Sequence, residues 1–228
     1  MTTLYAEVDK TKIADLPQVL FSGRIVVIET AESAEKAVDF LCKEKILGVD
    51  TETRPSFRKG ITYKVALLQI STHDVCFLFR LNRIGIPNCL KMLLENRTQL
   101  KVGLSLQDDM HALHERIAFR EGKYLDLQNY VRRFGIVDKS LQKLYANIFR
   151  QRISKGQRLT NWEAQILTPA QQRYAATDAW ACVMIYERLE KLFESRNFVF
   201  VPMVSENILM EKMMIEMLNE QMTRIDIE

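Results

Sequence analysis

Ile46-Leu47-Gly48-Val49-Asp50-Thr51-Glu52-Thr53 is an apolar run that turns polar at its end. Its length and aliphatic content read as a buried strand. Side chains alternate across a strand, so Asp50 and Glu52 project from one face at the polar end. Two carboxylates so close repel each other unless cations occupy the gap, which makes the pair a candidate divalent metal site. A D-x-E pair also arises by chance and gains weight only from what surrounds it.

Upstream, Gly23-Arg-Ile-Val-Val-Ile-Glu-Thr reads as a strand from its β-branched run, and Ser33 to Lys45 as a helix behind a Ser cap. Downstream, Tyr63 to Thr72 and Val75 to Leu81 read as two strands joined by a short turn, an antiparallel hairpin. Asn88 to Asn96 reads as a short helix and Leu100 to Leu106 as a fifth strand, and from Gln107 onward helices dominate. Sheet first and helices afterwards is an α/β order. It resembles the ribonuclease H-like fold, a mixed central sheet flanked by helices, more than a doubly wound sheet.

A chain of 228 residues, 47% hydrophobic and 27% charged, has the makeup of one large globular domain, with room for a small appendage. No apolar run approaches the ~18 residues that span a bilayer. The start, Met1-Thr-Thr-Leu-Tyr-Ala, lacks the basic-then-apolar pattern of a secretory signal, so a cytoplasmic protein without a membrane partner is expected. Cys42, Cys76, Cys89 and Cys182 are widely spaced and form no C-x-x-C pair, as suits free thiols in a reducing compartment. His111 and His114 lie one helical turn apart near acids, but two histidines without a third partner are a weak metal signal.

Two further acidic elements accompany the first pair. Gln107-Asp108-Asp109-Met110 follows a strand and opens a helix, where acids also suit the positive end of the helix dipole. Tyr174-Ala-Ala-Thr-Asp178 lies in the helix after Thr168-Pro169, and its spacing of four puts phenol and carboxylate on one face. Taken together, Gly48-Val-Asp-Thr-Glu-Thr, Val102-Gly-Leu-Ser-Leu-Gln-Asp-Asp, Asn161-Trp-Glu and Leu167-Thr-Pro-Ala-Gln-Gln-Arg-Tyr-Ala-Ala-Thr-Asp-Ala resemble the three motifs of the DEDDy 3′-to-5′ exonucleases. Ribonuclease D and the Werner-type exonuclease domains are the relatives they most resemble. The resemblance covers residues 23 to 195.

That resemblance implies a catalytic set of Asp50, Glu52, Asp109, Tyr174 and Asp178, in which the four carboxylates ligate two divalent ions, Mg²⁺ or Mn²⁺. Asp108 is the alternative to Asp109, and the family's spacing from Gly103 selects Asp109. Asp126, in Tyr124-Leu-Asp-Leu-Gln, resembles a recurrent supporting aspartate. The sister subclass carries a histidine where this chain has Arg173, which disfavours that variant. The implied activity is hydrolysis at the 3′ end of DNA or RNA, with release of nucleoside 5′-monophosphates. A catalytically silent nucleic-acid-binding or scaffold protein on the same fold is the alternative.

Between Arg132 and Arg158 there are eight basic residues against one acid, Asp138. Such a run attracts polyanions or simply forms a solvated face. Beside an acidic nuclease site, Thr53, Arg58, Lys59, Arg150, Arg152, Lys155 and Arg158 are the candidates for contact with the strand, with Arg54 and Lys64 nearby. The chain is expected to divide into an exonuclease domain, 1–200, and an amphipathic helical extension, 201–228. Within the extension, Ser205 to Ile225 carries Met210, Met213, Met214, Met217 and Met222. That soft stripe suits docking on its own domain, or else a second copy or another protein partner. Only fifty residues follow Asp178, too few for an appended polymerase domain.

Overall fold

The computed structural model describes residues 1–203; the expected methionine-rich helix, Ser205 to Ile225, lies outside them. Among the described residues there are eight strands: β1 (Thr2–Tyr5), β2 (Arg24–Ile28), β3 (Ile46–Glu52), β4 (Leu67–Ser71), β5 (Val75–Phe79), β6 (Leu100–Gly103), β7 (Lys123–Asp126) and β8 (Phe198–Val201). The α-helices are α1 (Lys10–Ile13), α2 (Ala31–Leu41), α3 (Leu81–Ile84), α4 (Asn88–Glu95), α5 (Leu106–His114), α6 (Leu127–Tyr130), α7 (Leu141–Phe149) and α8 (Pro169–Ser195). No helix among the described residues is long and apolar enough to cross a membrane.

Six strands form one mixed sheet in the order β2-β5-β4-β3-β6-β7, in which β4 alone runs antiparallel to its neighbours. Helices cover both faces, as the α/β reading expects. On one face Leu47, Val49, Leu68, Ile70, Phe77 and Phe79 pack against α2, α4 and α5. On the other, Leu67, Cys76 and Leu78 meet Trp162, Tyr174, Ala175 and Ala176 beneath α8. A further cluster joins α7 and α8 to β1, β6 and the 127–136 segment.

Several boundaries differ from the sequence reading, each for a local reason. The cap of α2 is Thr30 rather than Ser33; Ser33 is the third helical residue and completes a reciprocal capping box. The strand expected from Tyr63 begins at Leu67, where pairing with Glu52 starts. The fifth strand ends at Gly103 because Ser105 adopts a left-handed conformation, φ 61°, and turns the chain into α5. The largest omissions are strands. β7 adds a parallel edge inside the region expected to be helical, and β1 pairs with β8 in a separate parallel ribbon. That pairing joins residues about two hundred positions apart and has no local signature.

Candidate active site

Gly48, Asp50 and Glu52 alternate onto the face of β3 that α8 covers. A Cβ built on Gly48 would lie 1.9 Å from the carbonyl oxygen of Ala179 and 2.8 Å from Val183 Cγ2. The missing side chain therefore lets α8 lie directly against β3, as isolated strand glycines often permit close backbone approach. Asp178, one residue before Ala179, is thereby lowered beside the two strand acids. Ligand oxygens of Asp50, Glu52 and Asp178 all fall within 4.8 Å of one another.

α8 is held in this place from its first turn. Thr168 caps it with Pro169 at the first position, and Gln171 returns the capping box. The Gln171 amide also donates to Thr160 Oγ1 at 2.9 Å and to the carbonyl of Asn161 at 3.2 Å. Arg80, buried at the end of β5, donates to the carbonyl of Ala164 and pairs with Glu29 at 3.4 Å. Trp162 is fully buried against the Tyr174 ring, a packing residue rather than a base platform.

Asp109 reaches the site from the opposite layer. It stands outside the three-carboxylate cluster, and its carboxylate accepts the hydroxyl hydrogen of Thr51, which lies between the two strand acids and points to the other face. Asp108 is exposed, whereas Asp109 is partly buried. Asp126 accepts the N–H groups of Ser105 at 3.1 Å and Leu106 at 2.9 Å, so it supports the first turn of α5. Asp126→Ala should cost about 1–3 kcal/mol in denaturant unfolding, the scale for leaving buried backbone N–H groups without an acceptor. It should also lower activity by loosening Asp109; unchanged activity in the destabilised variant would show that α5 is held by other means.

The electrostatics are those of crowded acids. Burial first, then the charges of Asp109, Asp178 and Glu52, hold the Asp50 carboxyl well above the ordinary carboxylate range. Burial and the neighbouring acids push Glu52 up to about 9, with Arg158 opposing the shift. Asp178 rises to about 7 through burial, against the Tyr174 hydrogen bond and the charge of Lys155. Asp109 rises to about 6 through burial, against the Thr51 hydrogen bond. The Tyr174 phenol is itself pushed up by burial and by Asp178 and Glu52. A cluster of hard oxygen donors that resists full ionisation has the chemistry of a divalent cation site.

A family model of the 3′-5′ exonuclease matches residues 25–194. The chain belongs to the 3′-5′ exonuclease family. A 3′-5′ exonuclease of Arabidopsis thaliana is 31% identical over 199 residues, covering 80% of this chain and 69% of that protein. The exonuclease 3′-5′ domain-containing protein 2 of Drosophila melanogaster is 36% identical over 68% of this chain, which spans 27% of that protein's length. Among solved structures, the exonuclease domain of Aedes aegypti Nibbler superposes with a TM-score of 0.68 at 21% identity, covering 77% of this chain and 91% of that one.

Within this exonuclease the expected basic track separates into two groups. Lys155 and Arg158, exposed on the loop before α8, face the acids closely enough to oppose the shifts of Asp178 and Glu52. Arg150 instead donates to the carbonyl of Thr3 and lies 4.9 Å over the Tyr5 ring, and Arg152 donates to the carbonyl of Leu16 at 3.0 Å. Both guanidinium groups brace the N-terminal segment. The one acid of the run, Asp138, is buried and pairs with Lys143 at 2.9 Å. Thr53 and Lys59 are exposed beyond Glu52. Arg58 lines a cleft of about 460 Å³ with Arg54, Phe57, Tyr63, Leu159 and Asn161.

His111 and His114 face glutamates on the surface, Glu115 at 3.8 Å and Glu121 at 3.5 Å, and His114 stacks on Phe119. Neither joins the carboxylates. Sequence reading missed Gly48 and Thr51. A glycine inside a strand pattern and a polar residue facing the opposite layer were the available signals.

Proposed function

We propose that this chain removes nucleotides from the 3′ end of a DNA or RNA strand by metal-assisted hydrolysis, releasing nucleoside 5′-monophosphates. The observation that carries the proposal is the convergence of Asp50, Glu52 and Asp178 within 4.8 Å, in a chain of this family. The donor set fits two Mg²⁺ or Mn²⁺ ions, held by Asp50, Glu52, Asp178 and, from α5, Asp109. When bound, such ions supply an activated water and stabilise charge on the departing 3′ oxygen. Hydrolysis joins the water oxygen to phosphorus as the bond to the 3′ oxygen breaks.

The remaining roles belong to the chain. Because burial and acids raise its pKa, Tyr174 keeps its proton at neutral pH and acts as a donor, not a base. Its phenol, one helical turn before Asp178 on α8, orients the attacking water. Tyr174→Phe is expected to lower turnover on the order of 10²-fold while leaving KM and metal binding close to wild type; an equal loss of substrate affinity would assign the phenol to binding instead. Lys155 and Arg158 counter the acidic field that a polyanion must enter.

The decisive assay follows mononucleotide release from a 3′-labelled strand, with and without Mg²⁺ or Mn²⁺, for wild type and Asp50→Ala. Metal-dependent release that the substitution abolishes supports the enzyme. Binding without release would support the silent alternative. Matched DNA and RNA strands in the same assay assign the substrate, since the 2′-hydroxyl is where the two differ.

A further inference from the structure

Gln69 sits at the centre of β4, fully buried, and neither its side-chain oxygen nor its nitrogen has a hydrogen-bond partner among the described residues. Buried amides are almost always paired, because an unpaired one forfeits its hydration without return. Its neighbours on the same face, Leu67 on β4 and Leu78 on β5, are apolar, so an aliphatic side chain would suit packing better.

The register supplies a reason for the amide. Gln69 lies directly opposite Asp50 across the antiparallel β3–β4 pair. Residues so placed share a face, with Cβ atoms roughly 4.5–5.5 Å apart. Among the four carboxylates, Asp109 receives a hydrogen bond from the Thr51 hydroxyl. Asp50 receives one from the backbone of Thr51 but none from any described side chain, and the residue opposite it on β4 carries an unpaired amide.

We propose that Gln69 is a positioning residue for Asp50, its amide N–H donating to the carboxylate oxygen turned away from the cations when the site is loaded. A carboxylate has lone pairs enough for a metal on one side and a donor on the other. The donor fixes its rotation and favours its charged form. Leu67 and Leu78 cannot do this. The inference rests on the metal-binding reading above.

The test is a Mn²⁺ titration of wild type and Gln69→Met, read by calorimetry and by thermal shift, with turnover measured in parallel. Methionine keeps the length of the side chain and removes its hydrogen-bonding groups. The expected result is Mn²⁺ binding weakened about 10–100-fold, the usual effect of removing a group that orients a metal ligand. The metal-free protein should melt at or above the wild-type temperature, and saturating Mn²⁺ should restore most turnover with KM unchanged. Wild-type Mn²⁺ affinity in the variant would overturn the assignment of Gln69 while leaving the metal site standing. Absence of Mn²⁺ binding by wild type would overturn both. Gln69→Leu repeats the titration with a different apolar shape; loss of the fold in both variants would make the residue a structural one and overturn its proposed role.

Discussion

Asp178→Asn is expected to abolish 3′-end hydrolysis and, in the same molecule, to raise the melting temperature of the metal-free protein. The loss of activity should reach at least about 10³-fold, the scale on which one member of an interdependent catalytic set is missed. The gain in stability follows from the crowding of acids. Asparagine keeps the shape of the side chain and removes one charge from a cluster in which Asp50, Glu52 and Asp178 lie within 4.8 Å.

The pH dependence fixes the sign. Folded-state values of about 9 for Glu52, about 7 for Asp178 and about 6 for Asp109 exceed the ordinary values near 4 that the unfolded chain has. The folded protein therefore holds more protons between these limits, and its stability falls as pH rises. Below pH ~4 both states are protonated and the acids contribute no difference. For these three acids the deficit grows through neutrality and is complete above about 9, beyond the folded-state value of Glu52. The melting-temperature advantage of Asp178→Asn in chelator should widen from pH 6 to pH 8. Added Mg²⁺ or Mn²⁺ should stabilise wild type more at pH 8 than at pH 6, because fewer protons compete. An advantage independent of pH would show that charge crowding is not its cause.

Gly48→Ala is expected to damage both fold and activity, although it adds a single carbon. That carbon would meet the Ala179 carbonyl at 1.9 Å and Val183 at 2.8 Å, and the first of these is backbone of a 27-residue helix. Overpacking of this kind costs about 1–3 kcal/mol or more. Relief requires α8 to move off β3, carrying Asp178 and Tyr174 with it, and a misplacement of about 1 Å at a reacting centre is worth about 10²-fold in rate. Gly156→Ala is the control for stability, since its added carbon meets only the Ser154 hydroxyl, at 3.4 Å. Chemical denaturation and turnover, measured on both variants, check the expectation; a Gly48→Ala protein with wild-type activity would mean that α8 does not need its close seat.

Much of the site was legible in the sequence because its signals are local. Strand alternation puts Asp50 and Glu52 on one face, helical spacing puts Tyr174 and Asp178 on another, and Thr168-Pro169 starts α8 where the capping rules place it. The basic run was legible only as composition. Its division into Lys155 and Arg158 near the acids, and Arg150 and Arg152 against the N-terminal segment, depends on where the chain turns after α7.

The sequence alone thus determined the residue types of the acidic site and the element that carries each. The tertiary structure decided how those elements meet: α8 on β3 at Gly48, Asp109 from the opposite layer through Thr51, Gln69 facing Asp50, and β1 beside β8. The physical reason is range. Periodicity and capping are set by residues within a few positions of one another, whereas these meetings join segments from about twenty to two hundred residues apart and follow from the fit of the whole core.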